Sequence, residues 1–449
     1  MGISFPLHRM RGVFNLAKMG FEKISRMEIH SLVTEGKKRL SWAESNMPVL
    51  ASIRQRFENE KPLQGINIGV ALHLEKKTGI LLRTLVAGGA HLSAASCNPL
   101  TTDDSIAGAL AEEMDVFAWA NQTEAEYYNC LESVIASKPQ ITIDDGCDLI
   151  YLLHTKHAEA LDNVIGGCEE TTTGILRLEA MHSDGVLKVP VMAVNNAHSK
   201  YLFDNRYGTG QSVIEGILSA TNTLIAGKTV VVVGYGWCGR GIANRLKGLG
   251  AKVIVIESAT TNKGSSSGYH RALEASYDGC WVMSMKDAAS HGDIFITATG
   301  NKHVISGEHF SQMKDGAVLA NSGHFNHEID LDALESKSES KETILTNVEK
   351  YAMKNGKNII LLAQGRLVNL AQPTGQGHPI EIMDGSFGVQ ALCVEYLAKR
   401  GDDLKSGVYN VPIEIDNDVA RIALESQGII LDKPTDEQEK YTKTWKEGT

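Results

Sequence analysis

TVVVVGYGWCGRGIANRLKGLGAKVIVIE, residues Thr229–Glu257, carries the strongest fold signal in this chain. Its β-branched run predicts a strand that leads into the pattern Gly234-x-Gly236-x-x-Gly239, and the apolar spacing after it predicts a helix. Such glycines permit a tight turn and let a pyrophosphate approach the helix N-terminus. A second apolar strand ends at Glu257, where a carboxylate binds both adenosine ribose hydroxyls and repels a 2′-phosphate. The stretch predicts an NAD site in a Rossmann domain; the alternative is a glycine-rich turn of another α/β protein.

The composition limits the class of protein. With 449 residues, the chain is long enough for two or three domains, and its net charge of −10 argues against nucleic acid as a partner. No apolar run approaches the roughly 18 residues that a membrane helix needs, so no membrane contact is expected. Seven cysteines without a CxxC pair indicate a reducing cytoplasm and predict no metal site.

The two ends of the chain differ from the middle. Residues 1–27 contain five basic residues against one acid. They form either a transit peptide or membrane-touching segment, or a frayed or misannotated extension, which is the favoured interpretation. The tail from Asp432 is polar, and a helix is predicted over Thr435–Trp445.

Strand and helix patterns alternate through the first half of the chain. We predict helical structure over Glu28–Phe57 with a break near Pro48, a buried strand over Gly65–Leu72, a helix over Thr78–Ala87 and a strand over Ile141–Ile143. Repeated strand–helix units imply a parallel sheet that binds ligands at the carboxyl ends of its strands.

A second set of strand–helix units runs from about Gly227 to Leu370 and contains the glycine motif. It is interrupted by the polar loop Ser258–Gly268, which is predicted to be flexible. The fold class is therefore α/β, with two doubly wound parallel sheets and a short helical tail. The predicted division is an extension at 1–27, a substrate domain at 28–206, an NAD-binding domain at 207–374, a return segment at 375–431 and a tail at 432–449.

Three polar clusters stand out in the sequence. They are Asp144-Asp145-Gly146-Cys147-Asp148, Glu169-Glu170-Thr171-Thr172-Thr173-Gly174, and Lys200 with Asp204-Asn205. Carboxylates and a lysine at strand ends can hold hydroxyls and move protons. Each cluster also has a structural interpretation: a turn, a helix N-terminus, and an exposed i,i+4 ion pair.

Three histidines stand next to glycine or at a predicted strand end: His73, His324 and His378. His73 and Asp145 fall at the ends of strands of the same predicted sheet, which favours a shared functional role. An imidazole on a tight turn is a natural proton shuttle near neutral pH. The alternative for each is a hydrogen-bonded structural histidine.

Together these strings resemble the S-adenosylhomocysteine hydrolases from about Lys37 to Trp445. The matching motifs are SCNPL, IDDGCDL, EETTTG, FDNRYGTGQS, VVGYGWCGRG, SGHF, GRLVNL and GHP. GYGWCGRG, Thr209 and the short C-terminus are most similar to the archaeal and thermophilic branch. The resemblance implies a thioether hydrolase in which NAD oxidises the ribose 3′-carbon, a base removes the C4′ proton, homocysteine leaves, water adds and the hydride returns.

The resemblance also implies roles for individual residues. Catalytic roles fall on Asp145, Glu170, Lys200, Asp204, His73 and His324. Substrate contacts fall on Glu75, Lys77, Asn98, Thr101 and His378. Cofactor contacts fall on Thr171, Thr172, Thr173, Asn205, Thr297, Thr299 and Asn369, in addition to Gly234, Gly236, Gly239 and Glu257.

The string His73-Leu74-Glu75-Lys76-Lys77 departs from the common family pattern, which has a glutamate in place of Lys77. A lysine only donates, so it suits a 6-oxo purine and resembles the pattern of S-inosylhomocysteine hydrolases. The alternative is that Lys77 pairs with Glu75 or points to solvent. The sequence therefore does not decide between the adenosyl and the inosyl substrate.

Two other functions share these features: an NAD-dependent nucleoside dehydrogenase or epimerase, and a non-catalytic nucleoside-binding homologue. Turnover without added NAD separates the first from a hydrolase, and the intact set of catalytic residues argues against the second. The C-terminal arm of longer family members, which reaches a neighbouring subunit's cofactor, is absent. Lys440 and Tyr441 are candidates to replace it in part, and a homo-oligomer, a tetramer or a dimer, is expected.

Overall fold

A computed structural model describes residues 26–260 and 267–446 of the chain. The predictions for residues 1–25 and for positions 261–266 of the polar loop lie outside the described residues. In chain order the strands are β1 Asn67–Leu72, β2 His91–Ser96, β3 Asp115–Phe117, β4 Ile141–Asp144, β5 Gly166–Glu169, β6 Pro190–Ala193, β7 Thr229–Val233, β8 Lys252–Ile256, β9 Trp281–Val282, β10 Ile294–Thr297, β11 Ala317–Asn321, β12 Ser338–Leu345, β13 Val348–Met353, β14 Asn358–Leu362 and β15 Gly407–Asn410.

The helices connect these strands. They are Arg26–Glu44, Pro48–Glu60, Lys76–Ala87, Asp104–Leu110, Glu124–Ala136, Asp148–Thr155, Thr172–Ser183, His198–Lys200, Thr209–Thr221, Trp237–Gly248, Gly268–Tyr277, Met285–Ala288, Gly307–Phe310, Leu331–Ser336, Ile380–Arg400, Ile413–Ser426 and Asp436–Thr442, with a π-helix at Tyr201–Gly208 and 3-10 turns at Ala158–Asn163, Val194–Asn196, Ala363–Gly365 and Gly401–Asp403. No helix in the described ranges combines the length and apolarity needed to cross a membrane.

The first sheet has seven parallel strands in the order β15-β6-β5-β4-β1-β2-β3. Because β1 pairs with β2 and β4, the residues that follow these strands meet at one edge of the sheet. Strand β15 joins this sheet only after the chain has completed the second sheet, and the helix Ile380–Arg400 brings the chain back. The predicted α/β class with two parallel-sheet units is confirmed.

The second sheet has the order β12-β13-β14-β11-β10-β7-β8-β9 and contains the glycine motif after β7. Strands β7 to β11 and β14 pair in parallel, but β13 pairs antiparallel with both β12 and β14. The hairpin formed by β12 and β13 was not predicted from the sequence. Its tight turn uses Asn347 at φ 62°, and the outer strand β12 is largely exposed.

Two helix boundaries differ from the sequence prediction. The helix predicted from Thr78 begins at Lys76, because the Glu75 carboxylate accepts the backbone N–H groups of Lys77 and Thr78 as an N-cap. The tail helix is shorter than predicted and spans Asp436–Thr442. The predicted break before Pro48 is confirmed, since Pro48 is the first residue of a new helix.

The helix Trp237–Gly248, which follows the glycine motif, lies against the π-helix Tyr201–Gly208. A Cβ at Gly241 would overlap the carbonyl oxygen of Arg206, and a Cβ at Gly210 would overlap the backbone of Gly241. Glycine is therefore required at Gly241 for the backbones to approach this closely.

Replacing Gly241 by alanine is expected to lower the midpoint of thermal unfolding, at a cost of about 1–3 kcal/mol, because the new methyl must push the π-helix away. Gly248→Ala in the same helix is the matched control, since nothing lies within 4 Å of its Cβ position. The control should be neutral or stabilising by about 0.5–1 kcal/mol. Equal shifts in both variants, measured by scanning calorimetry, would contradict the close approach.

Candidate active site

The carboxyl ends of strands from both sheets face one cleft with about 820 Å³ of open space. The structure brings most of the predicted residues together in its lining. These are His73, Glu75, Lys77, Asp145, Glu170, Thr171, Thr172, Lys200, Asp204, Asn205, His324, Asn369 and His378. Apolar walls from Met383, Phe387 and Leu370 complete the cleft.

The π-helix shapes the lysine cluster. Lys200 precedes it, and its Nζ donates to Asp204 Oδ1 at 3.0 Å and to Asn205 Oδ1 at 2.8 Å. Glu170 Oε1 lies 3.6 Å from the same nitrogen. The wider π turn places the fourth and fifth residues after Lys200 on the same side. Lys200 and Asp204 are both buried, so the interpretation as an exposed ion pair is wrong.

The cluster holds its groups in distinct protonation states. Although burial opposes it, Asp204 and Glu170 raise the pKa of Lys200 above its usual value. Burial would also raise the pKa of Asp204, but Lys200 and His378 lower it below its usual range. Burial raises the pKa of Glu170 to about 8 despite the attraction of Lys200. Near neutral pH Lys200 is therefore cationic, Asp204 is anionic, and Glu170 can gain or lose a proton.

Asp145 lies between two imidazoles that come from different sheets. Its Oδ2 is 3.4 Å from His73 Nε2, and its Oδ1 is 3.4 Å from His324 Nδ1. The other nitrogen of His73 contacts Thr101 Oγ1 at 2.8 Å and Cys97 Sγ at 3.2 Å. Burial lowers the pKa of His73 to about 4, so this ring is neutral near neutral pH. A neutral imidazole beside a carboxylate is able to accept a proton.

Glu169, a member of the predicted Glu169–Gly174 cluster with no individual role assigned to it, fixes the turn after Asp145. Glu169 is buried, and its Oε1 accepts the backbone N–H groups of Gly146 at 2.9 Å and Thr171 at 3.0 Å. Burial raises the pKa of Glu169 well above its usual value. Gly146 has φ +111°, and a side chain there would press on the ring of His324.

Sequence reasoning also missed Asn195, which lines the cleft. Its Nδ2 donates to Thr172 Oγ1 and its Oδ1 accepts from Asn205 Nδ2, both at 2.9 Å. The signal was available, since Asn195 follows closely on strand β6. Ser386 and Gln390, which contact Asp204 and Glu170, lie inside a helix and gave no such signal.

Lys77 lies in the lining next to Glu75. Its Nζ is 2.9 Å from Glu75 Oε2 and donates to the Gln376 carbonyl oxygen at 2.8 Å. The predicted pairing with Glu75 is present, but the side chain is only 2% exposed, so the orientation towards solvent is wrong. The bond to Gln376 uses one of the three N–H donors of the ammonium, and the buried Glu75 Oε2 beside it has no hydrogen-bond partner among the described residues.

The remaining predicted substrate residues differ in position. His378 lines the cleft, with Nδ1 3.1 Å from Asp204 Oδ1 and Nε2 3.3 Å from Thr209 Oγ1. Thr101 contacts the His73 nitrogen that faces away from Asp145. Asn98 is not part of the lining, and its Oδ1 accepts the backbone N–H of Leu100 at 3.0 Å.

The glycine motif has the geometry that a dinucleotide needs. Gly234 has φ +100°, and a Cβ at Gly239 would overlap the carbonyl oxygen of Gly234. The space beside Gly236, at the start of the helix Trp237–Gly248, is open. Glu257 follows β8, accepts the Tyr235 N–H at 2.6 Å and pairs with Arg271 Nε at 2.7 Å. These residues fit the pyrophosphate and one ribose of NAD.

The other predicted cofactor residues extend this surface. Thr299 is held by Glu328, and the Thr297 hydroxyl donates to Asn321 Oδ1 at 2.9 Å. Asn369 Nδ2 donates to Ser212 Oγ, while its buried Oδ1 has no hydrogen-bond partner among the described residues. A buried acceptor left open in the cleft fits an amide donor on a bound cofactor. Thr173 lies close to the Gly300 turn.

These features define an NAD-dependent enzyme with an acid–base site between two α/β units. Residues 205–375 match the profile described as "S-adenosyl-L-homocysteine hydrolase, NAD binding domain", and residues 26–159 match the profile "S-adenosyl-L-homocysteine hydrolase". The chain belongs to the S-adenosyl-L-homocysteine hydrolase family, as its motifs indicated, and it is a hydrolase that binds NAD.

Relatives in archaea resemble nearly the whole chain. The S-inosyl-L-homocysteine hydrolase of Methanopyrus kandleri is 54% identical over 421 residues, which cover 93% of this chain and 97% of the relative. The S-inosyl-L-homocysteine hydrolase of Methanocaldococcus jannaschii is 54% identical over 93% of this chain and 98% of its own length. The adenosylhomocysteinase of Saccharolobus solfataricus is also 54% identical, over 93% of this chain and 98% of its own length.

Replacing Glu257 by alanine is expected to weaken NAD retention at least about tenfold, because a ribose loses its charged acceptor. The same change should improve the binding of NADP relative to NAD, since a carboxylate no longer repels the 2′-phosphate. Equilibrium dialysis of both cofactors measures the two effects. Glu425→Gln, an exposed change in the helix Ile413–Ser426, is the control. Unaltered NAD retention in Glu257→Ala would contradict the assignment.

Proposed function

We propose that this enzyme hydrolyses S-inosyl-L-homocysteine to L-homocysteine and inosine, reversibly, and uses S-adenosyl-L-homocysteine less well. The observation that carries this proposal is the buried pair Glu75 and Lys77, whose Oε2 and Nζ atoms lie 2.9 Å apart in the cleft lining. The pair presents one hydrogen-bond acceptor and one donor side by side. Hypoxanthine carries the matching groups on one edge, an N1–H donor beside an O6 acceptor.

Adenine carries the opposite pattern at the same edge, an N1 acceptor beside a 6-amino donor. Its amino group would face the ammonium of Lys77, and its N1 would face the carboxylate of Glu75. A site whose buried polar groups are left unpaired by one ligand discriminates against that ligand. The names of relatives do not decide this point, since both activities occur at 54% identity.

The acid–base groups supply the rest of the reaction. NAD, when bound, accepts a hydride from the ribose 3′-carbon and later returns it. The Lys200 cation, held by Asp204, assists loss of the 3′-hydroxyl proton by stabilising the developing negative charge. Glu170 accepts a hydrogen bond from a ribose hydroxyl. Asp145, with His73 and His324, removes the C4′ proton, protonates the leaving thiol and activates the incoming water.

Other predicted residues complete this assignment. We assign the base and amino-acid end of the substrate to Glu75, Lys77 and His378, which line the cleft. Thr101 supports His73, and Asn98 supports the Thr101 hydroxyl through its carbonyl oxygen, so both act indirectly. We assign NAD to Thr171, Thr172, Thr173, Asn205, Gly234, Gly236, Gly239, Glu257, Thr297, Thr299 and Asn369. The domain division remains the one that the sequence predicts, with an extension at 1–27, a substrate domain at 28–206, an NAD-binding domain at 207–374, a return segment at 375–431 and a tail at 432–449.

We further propose a homo-oligomer, a dimer or tetramer, in the cytoplasm. The tail after the helix Ile413–Ser426 exposes Ile430 at 93% and Trp445 at 89%. Ile430 lies between Ile429 and Leu431, which are 43% and 67% exposed, and a contiguous apolar patch of this kind favours docking on a second copy of the chain. The seven cysteines are all free thiols, which supports a reducing compartment.

Protein as purified should release thiol from S-inosyl-L-homocysteine with a higher kcat/KM than from the adenosyl compound. Lys77→Met is expected to lower kcat/KM for the inosyl substrate about ten- to hundredfold, because a charged hydrogen bond to O6 is lost. The loss for the adenosyl substrate should be smaller. Thiol release with a chromogenic disulfide measures both.

Lys76→Met is the matched control, since Lys76 adjoins Lys77 but is not part of the cleft lining. It should leave the ratio of the two kcat/KM values unchanged. A tenfold preference of the parent enzyme for the adenosyl substrate, or an equal loss for both substrates in Lys77→Met, would refute the inosyl assignment.

A further inference from the structure

The helix Ile380–Arg400 places two buried donors beneath the cleft, one helical turn apart. Ser386 Oγ donates to Asp204 Oδ2 at 2.9 Å, and Gln390 Nε2 donates to Glu170 Oε2 at 2.6 Å. Both donor side chains are fully buried. Residues i and i+4 lie on the same face of a helix, so one helix holds both carboxyl groups.

The second oxygen of each carboxyl group, on the side away from the helix, lies near Lys200. Asp204 Oδ1 lies 3.0 Å from Lys200 Nζ, and Glu170 Oε1 lies 3.6 Å from the same nitrogen. Glu170 Oε1 is buried and has no hydrogen-bond partner among the described residues. The contact with Gln390 therefore turns the open oxygen of Glu170 towards Lys200 and the cleft.

The two carboxyl groups that these donors hold differ in their protonation. Asp204 stays ionised beside Lys200, so a hydroxyl donor is sufficient for it. Glu170 exchanges a proton near neutral pH and needs a partner in both forms. An amide supplies this, since it donates through Nε2 to a carboxylate and accepts through Oε1 from a carboxylic acid after a half-turn. Gln390 Oε1 is buried and lacks a hydrogen-bond partner in the described part of the chain, so it is available for that role.

We propose that Gln390 is a positioning residue for Glu170, and that its amide holds the carboxyl group against Lys200 both with and without a proton. This inference rests on the proposed function, because it concerns how Glu170 meets a ribose hydroxyl. A plain packing role is the alternative, and it predicts no link to the protonation of Glu170.

The charged and polar groups around Glu170 determine in which direction its pKa moves when Gln390 is replaced. Lys200 favours the carboxylate, whereas Asp204 and Asp145 disfavour it. The neighbouring thiols of Cys168 and Cys393 are buried, which raises their pKa values and keeps them neutral. The hydrogen bond from the Gln390 N–H to the carboxylate is charge-assisted and so stronger than the neutral one from the carboxylic acid, and the amide on balance stabilises the charged form of Glu170. Loss of this donor therefore raises the pKa of Glu170 further.

Gln390→Met keeps the length of the side chain and removes its amide. Because the carboxylate of Glu170 accepts the ribose hydroxyl, the acid limb of the profile of kcat/KM against pH should move upward by about one unit. The rate at pH 7 then falls about tenfold and recovers in part at pH 9. Gln390→Asn, which retracts the amide by one methylene, should shift the acid limb in the same direction. This polar variant keeps the test valid if Gln390→Met does not fold.

Ser386→Ala is the matched control one turn earlier on the same helix. It removes a donor from Asp204, whose pKa stays far below the measured range, so the limb should stay in place. A limb that does not move in Gln390→Met or Gln390→Asn, with a loss of rate that is equal at all pH values, would overturn the inference. Failure of the parent enzyme to release thiol from either nucleoside, with NAD still bound, would overturn the proposed function instead.

Discussion

The buried ammonium of Lys200 is the charge on which the rest of the site depends. A lone cation in the interior loses its hydration, so it persists only with close, hydrogen-bonded counter-charges. Asp204, Asn205 and Glu170 supply these contacts from the π-helix and from the end of β5. Each partner is in turn held by a second residue, and the helix Ile380–Arg400 contributes two of those residues. The return of the chain to the first sheet is thus a requirement of the charge cluster.

The same cleft depends on both α/β units. Asp145 follows a strand of the first sheet, yet it contacts His73 from that sheet and His324 from the second. Gly241 lets the helix Trp237–Gly248 touch the π-helix directly. A change in the relative position of the two units would therefore alter the distances around Asp145 and Lys200 together.

Much of this arrangement followed from one rule, that ligands bind at the carboxyl ends of parallel strands. The rule located His73 and Asp145, and the spacing of glycines located the cofactor loop. It did not locate the π-helix, because a single inserted turn leaves no periodic trace in the sequence. Lys200 and Asp204 therefore also fitted an exposed i,i+4 pair until their burial was known.

Residues inside helices were the second gap. Gln390 lies among apolar neighbours at core spacing, and only its distance to Glu170 shows a contact with the charge cluster. Lys77 shows the converse: the sequence offered a pairing with Glu75 or a contact with the base, and the pair itself lines the cleft. Sequence patterns place side chains on elements, but contacts between distant elements decide which atoms meet.

The central claim is that a resident NAD carries the sugar through a transient oxidation within one catalytic cycle. Rapid mixing of the protein as purified with S-inosyl-L-homocysteine, followed by absorbance of the reduced nicotinamide, tests it most directly. The account predicts a rise that forms at least as fast as thiol is released and then decays as substrate is exhausted, without added cofactor. Thiol release at the full rate from protein that contains no NAD, or with no reduced nicotinamide at any time, would contradict it.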